Sequence, residues 1–116
     1  FAWACAGVLL ETAHGLKLSA YLDHPLRREL LILAHAHGVG LSLVVLAYAA
    51  LGVTSDRSPK HGRALKIASV LIPLGFACSI VGHAEADPGP AIFLVPLGAL
   101  GLLFGLFGLV RGLPRE

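Results

Sequence analysis

Charge is scarce in this chain. Asp, Glu, Lys and Arg make up only 14% of its 116 residues, against roughly 25% in a soluble domain. Two stretches, Leu30–Leu51 and Ala91–Val110, contain none of the four. That deficit excludes an ordinary soluble fold, which needs a charged surface to face water. Catalytic signatures are missing as well. There is no P-loop, no dinucleotide fingerprint and no H-E-x-x-H helix. Ser19, Ser42, Ser69 and Ser79 have no G-x-S-x-G setting, and serines in apolar helices ordinarily bond their own backbone, so no nucleophile stands out. The only cysteines are Cys5 and Cys78. The first belongs near the inner membrane face and the second to the outer half of the third span. That is beyond the ~7 Å reach of a disulfide, and both are expected to be free, apolar packing residues.

Hydrophobic residues fill the rest, at 56% of the chain. They gather in four stretches, Phe1–Leu22, Leu30–Leu51, Ala64–His83 and Ala91–Val110. Each matches the roughly 20 helical residues that cross a ~30 Å hydrocarbon core. The sequence therefore predicts one all-α integral membrane domain over residues 1–116, with four transmembrane helices. Connections of about 7 to 12 residues keep sequential helices antiparallel, which gives an up-down-up-down bundle. The first span continues through Thr12 and Ala13 to Leu22, and Pro73 and Pro96 are expected bends. Phe1, in place of a methionine, already lies inside an apolar run. The sequence is expected to have lost a short start rather than a cleaved signal peptide, because Phe1–Leu10 has no basic n-region.

Basic residues fix the orientation. Arg57, Lys60 and Arg63 lie in the connection Gly52–Arg63, Lys66 stands just inside the third span, and Arg111 and Arg115 follow the fourth. The first connection holds Arg27 and Arg28, and the connection Ala84–Pro90 has no Lys or Arg. Both termini and the middle connection are thus expected on the cytoplasmic side of a cell membrane, the bacterial inner membrane fitting best. This distribution accounts for the formal charge of +2 without a nucleic-acid partner.

Gly98, Gly101, Gly105, Gly108 and Gly112 recur at spacings of 3 and 4 along the fourth span. Such a stripe lets helix backbones approach closely, either against another helix of the same chain or against a second copy or partner subunit.

The remaining chemistry lies in histidines and carboxylates. At 1.5 Å per helical residue, His14 and His35 fall at similar depth in the outer half. Glu11 and His37 lie one turn deeper, and His24 and His83 nearer the outer surface, with Glu85 and Asp87 following His83. Ionisable groups inside a membrane avoid lipid, so Glu11 and His14 are expected to point inward. Glu11 and His14 form an E-x-x-H pair, but a di-iron centre needs two such pairs with further carboxylates. His35 and His37 are about 200° apart on a helix and cannot both face one site. His14 with His35 is the candidate haem b pair. His14, His35, His83 and Glu11 are the candidate ligands of a copper or zinc ion. The simpler alternative has these side chains bonding each other, Ser42 or backbone carbonyls, with no cofactor.

Three segments bear a likeness to a known family: Ala13-His14-Gly15-Leu16-Lys17, Leu33-Ala34-His35-Ala36-His37-Gly38 and Val95-Pro96-Leu97-Gly98-Ala99-Leu100. Together they resemble the small four-helix membrane proteins of the YgdD and transmembrane-protein-256-like family. That family shows an A-H-G stretch in helix one, a histidine-led segment in helix two and P-x-G-G in helix four. Here Ala99 stands at the second glycine of the last motif. The resemblance implies no activity and places His14 and His35 at motif positions. The resulting expectation is a non-catalytic accessory or stabilising subunit of a larger membrane complex. It would contact lipid, and other subunits or its own copies through helix four. The alternative is a haem- or metal-binding protein of electron transfer or metal handling.

Overall fold

The computed structural model of the chain describes residues 1–50, 59–81 and 87–111. Among them every regular element is helical: α1 (Ala2–Gly15), the single turn α2 (Ser19–Leu22), α3 (Pro25–Ala50), α4 (Pro59–Cys78) and α5 (Leu94–Arg111). A 3-10 turn at Pro90–Phe93 leads into α5. Two of these segments, Pro25–Ala50 and Pro90–Arg111, are long and apolar enough to cross a membrane.

The first apolar stretch is not one continuous helix. Its 14-residue opening helix is about 21 Å long and ends in a closed turn. Lys17 adopts a left-handed conformation with φ 53°. Its N–H bonds the His14 carbonyl at 3.0 Å, and the Leu18 N–H reaches back to the Ala13 carbonyl at 3.0 Å. These two bonds form a Schellman cap, which satisfies the orphan carbonyls of a helix end. Glycine is the usual left-handed residue of that cap, and Gly15 lies two positions too early to supply it. The break was therefore hidden in the sequence.

Helices α3 and α4 each begin five residues before the apolar stretch they carry, at Pro25 and Pro59. Proline has no N–H to leave unsatisfied at a first helical position, and its fixed φ suits the helix. The start of α4 also draws His61 out of the expected loop and into its first turn. Pro73 is interior to α4 and fully buried, whereas Pro96 stands in the first turn of α5, where a proline is tolerated without a kink. Beyond α4, the Gly89 N–H bonds the Ser79 carbonyl at 2.8 Å and returns the chain toward α5.

Helix α4 is the centre of the fold, packing along α5 on one side and α3 on the other. On α5, Gly98, Gly105 and Gly108 face α4 so closely that a Cβ would collide with Ile72, Leu65 and His61 respectively. Gly101 has room, with its nearest neighbour 3.7 Å from a Cβ, and Gly112 lies outside the described residues. Gly98, Gly105 and Gly108 thus pack inside the chain, on α4. Tyr48 and Leu65 form the buried core of this unit, with Val45, Leu102, Leu106 and Leu109 against them. Contacts of Tyr48 with Gly62 and of His37 with Phe76 set α3 antiparallel to α4. Among the described residues α1 packs along α3 but not along α4 or α5. The helices alternate in direction, yet they form an open arrangement of 54 × 27 × 20 Å, because the flanks of α4 are taken by α3 and α5.

Candidate site at the groove between α1 and α3

Two reciprocal insertions join α1 to α3. The Trp3 indole covers Gly38, and the His35 imidazole covers Gly7, each filling the space that a Cβ would need. The His35 Nδ1–H donates to the Trp3 carbonyl at 2.7 Å. A carbonyl only accepts, so this bond fixes the tautomer and leaves Nε2 as an acceptor. Trp3 and Gly7 are members of this contact that the sequence reading missed. The signal available to it was a pair of glycines, Gly7 and Gly38, each opposite a large ring once α1 and α3 are aligned antiparallel.

Beside this contact lies an open groove of about 630 Å³. Gly7, Val8, Glu11 and Thr12 of α1 and His35 and Val39 of α3 line it. The Thr12 hydroxyl donates to the Val8 carbonyl at 2.7 Å, so its proton is already committed. What the groove offers is therefore acceptors: the Glu11 carboxylate, the Thr12 oxygen lone pairs and the His35 Nε2. Among the described residues no hydrogen bond or ion pair joins Glu11 to another side chain. Glu11 and His14 are both exposed, not turned inward, because among the described residues α3 is the one long helix packed along α1.

The matched depth expected for His14 and His35 does not survive the packing. His35 docks at Gly7, and His14 lies seven residues further along α1, about 10 Å away along the axis. Its ring meets the edge of Tyr21 instead, with centroids 6.4 Å apart. His37 points away from His35, as their separation on the helix requires. Its Nδ1–H donates to the Leu33 carbonyl at 2.8 Å and its ring lies 5.1 Å from that of Phe76. His83 and Glu85 lie outside the described residues. Among the described residues no group of three His, Cys, Asp or Glu side chains is placed to hold a metal ion. No family model, curated protein or solved structure matches this chain.

Three serines in or just after the helices close on the local backbone. Ser42 donates to the Gly38 carbonyl, Ser69 to that of Lys66 and Ser79 to that of Gly75. Each hydroxyl proton is thereby occupied in a local bond. Cys5 and Cys78 are free thiols, both exposed. At the other end of the molecule the His61 Nδ1–H donates to the Phe104 carbonyl at 3.2 Å, and its ring lies 4.6 Å from that of Phe104. His61 thus ties α4 to α5 as His35 ties α3 to α1.

Proposed function

We propose that this chain is a small multi-pass membrane protein without catalysis of its own, acting as an accessory or stabilising subunit of a larger membrane assembly. The observation that carries the membrane reading is exposure: only 22% and 17% of the apolar windows in α3 and Pro90–Arg111 are buried inside the chain. A core helix of a soluble protein would be largely covered, whereas lipid is a natural neighbour for Leu43, Leu46, Leu100, Leu103 and Phe107, all exposed. In this reading α4 and the α1–α2 unit complete four crossings. The Schellman cap keeps the break in the first tolerable, because the N–H groups of Leu16, Lys17 and Leu18 are all bonded. The distribution of basic residues supports both termini and the 52–63 connection on the cytoplasmic side of a cell membrane, the bacterial inner membrane fitting best. The same proposal sets the chain beside the YgdD and transmembrane-protein-256-like proteins, on the residues quoted above.

The subunit reading draws support from the groove between α1 and α3. A groove lined by polar oxygens and the His35 ring, with an exposed Glu11, suits a partner helix that presents a lysine or arginine, since ionisable side chains at membrane depth pair with one another or with backbone groups. Purification from native membranes in mild detergent tests this. A stoichiometric membrane partner, lost with Glu11→Ala, supports the reading, and a monodisperse solitary protein opposes it.

One observation favours a second reading. Metal- and haem-ligating histidines commonly donate their other N–H to a carbonyl, as His35 does to Trp3. His35 is thus the fittest single ligand of the groove, with no second histidine opposite it among the described residues. A visible spectrum and metal content of the natively expressed protein decide this reading.

A further inference from the structure

The outward side of α4 combines basic and apolar side chains. Helical geometry, at about 100° per residue, places Lys60, Arg63, Lys66, Ile67, Val70 and Leu74 within one sector of about 120°. All six are exposed, with Ile67 at 57%, Val70 at 52% and Leu74 at 39%. The buried residues Leu65, Ala68 and Ile72 occupy the opposite side, against α3 and α5. The sector is divided along its length, with three cations in the first two turns and only apolar side chains in the next two. Neither α4 nor α5 contains an Asp or Glu that would neutralise these cations from within the helix pair. Arg111, at the same end of the α4–α5 pair, does not join them. It lies over the Phe107 ring of its own helix, 4.3 Å from the centroid.

We propose that this face binds an anionic phospholipid, with its phosphate against Lys60, Arg63 and Lys66 and an acyl chain along Ile67, Val70 and Leu74. The assignment rests on the membrane reading above and adds a specific ligand to it. Charge complementarity selects the occupant. A phosphodiester accepts several hydrogen bonds at once, the planar guanidinium of Arg63 can engage two of its oxygens, and the two ammonium groups supply point charges on either side. Lysine and arginine stems lie along apolar surface while their heads reach the interface, so the cations and the hydrocarbon strip meet at the depth of a headgroup. An acidic protein segment would satisfy the cations but would leave the strip below them without an occupant.

Native mass spectrometry of the full chain in detergent tests the site, using phosphatidylglycerol, phosphatidylcholine and inorganic phosphate as probes. The wild type is expected to retain one phosphatidylglycerol and little phosphatidylcholine. The triple variant Lys60→Gln/Arg63→Gln/Lys66→Gln should lose that preference by at least about tenfold, while Arg111→Gln keeps it. If the triple variant fails to fold, Lys60→Gln and Lys66→Gln singly carry the same comparison. Equal retention of the two lipids, or an unchanged preference in the variants, overturns the site. Displacement of the lipid by excess inorganic phosphate overturns the role of the apolar strip. Alkaline carbonate extraction separates the two levels of the account. A protein released from membranes refutes the membrane reading, whereas one that stays embedded without lipid selectivity refutes only this site.

Discussion

The imidazole of His35 stands where a side chain on Gly7 would have to be. This one-for-one exchange of ring for hydrogen brings α1 within reach of α3, and the bond from His35 to the Trp3 carbonyl then holds the register. Trp3 over Gly38 repeats the exchange one turn away.

Replacing either glycine of this contact with a bulky residue should therefore release α1. Gly7→Leu and Gly38→Leu are expected to cost about 1–3 kcal/mol, the usual range for overpacking a filled site. Gly15→Ala and Gly40→Ala are the controls, since a Cβ at either position meets nothing within 4 Å. Both should be neutral or slightly stabilising, Gly40→Ala the more so because Gly40 is interior to α3 while Gly15 ends α1. Thermal unfolding in one detergent compares all four. Equal losses across the set would mean that α1 does not dock as described.

The stripe on α5 should be unequal along its length. Gly105→Ala and Gly108→Ala press a methyl group into Leu65 and the His61 ring, whereas Gly101→Ala gains an ordinary contact. We expect the first two to lower the unfolding temperature and the third to leave it near the wild type. A uniform response would place the stripe against lipid instead of α4.

His35→Ala should destabilise the α1–α3 contact by about 1–3 kcal/mol, because the Trp3 carbonyl loses its imidazole donor in a partly buried place. His14→Ala should cost less, since His14 is exposed and its ring partner is Tyr21 alone. Unfolding of both variants measures the difference. If a haem were held between these two histidines, both substitutions would abolish a Soret band present in the natively expressed protein, and the order of stabilities would not separate them.

Composition located α3 and α5 well because Leu30–Leu51 and Ala91–Val110 carry no charge to blur their limits. The helix ends were less legible. Hydropathy records where a membrane would begin, while Arg27, Arg28 and Glu29 extend α3, and Lys60 extends α4, into a polar zone. The end of α1 was hidden by a left-handed lysine where glycine is usual. The α1–α3 groove was legible only in fragments. Glu11 and His35 stood out as ionisable groups in apolar stretches, but their company depends on a register set by Trp3 and Gly38, residues 35 positions apart. Depth counting from assumed span limits missed that register and brought His14 opposite His35.

The most direct test of the central claim, a chain threaded repeatedly through a membrane with both ends inside, is labelling of single cysteines on intact cells by an impermeant thiol reagent. With Cys5 and Cys78 replaced by alanine, a cysteine at Asp87 should be labelled from outside. A cysteine at Ser58 should be labelled only after the cells are opened. Labelling of Ser58→Cys from outside with protection of Asp87→Cys would reverse the topology, and labelling of neither until lysis would contradict the multi-pass account altogether.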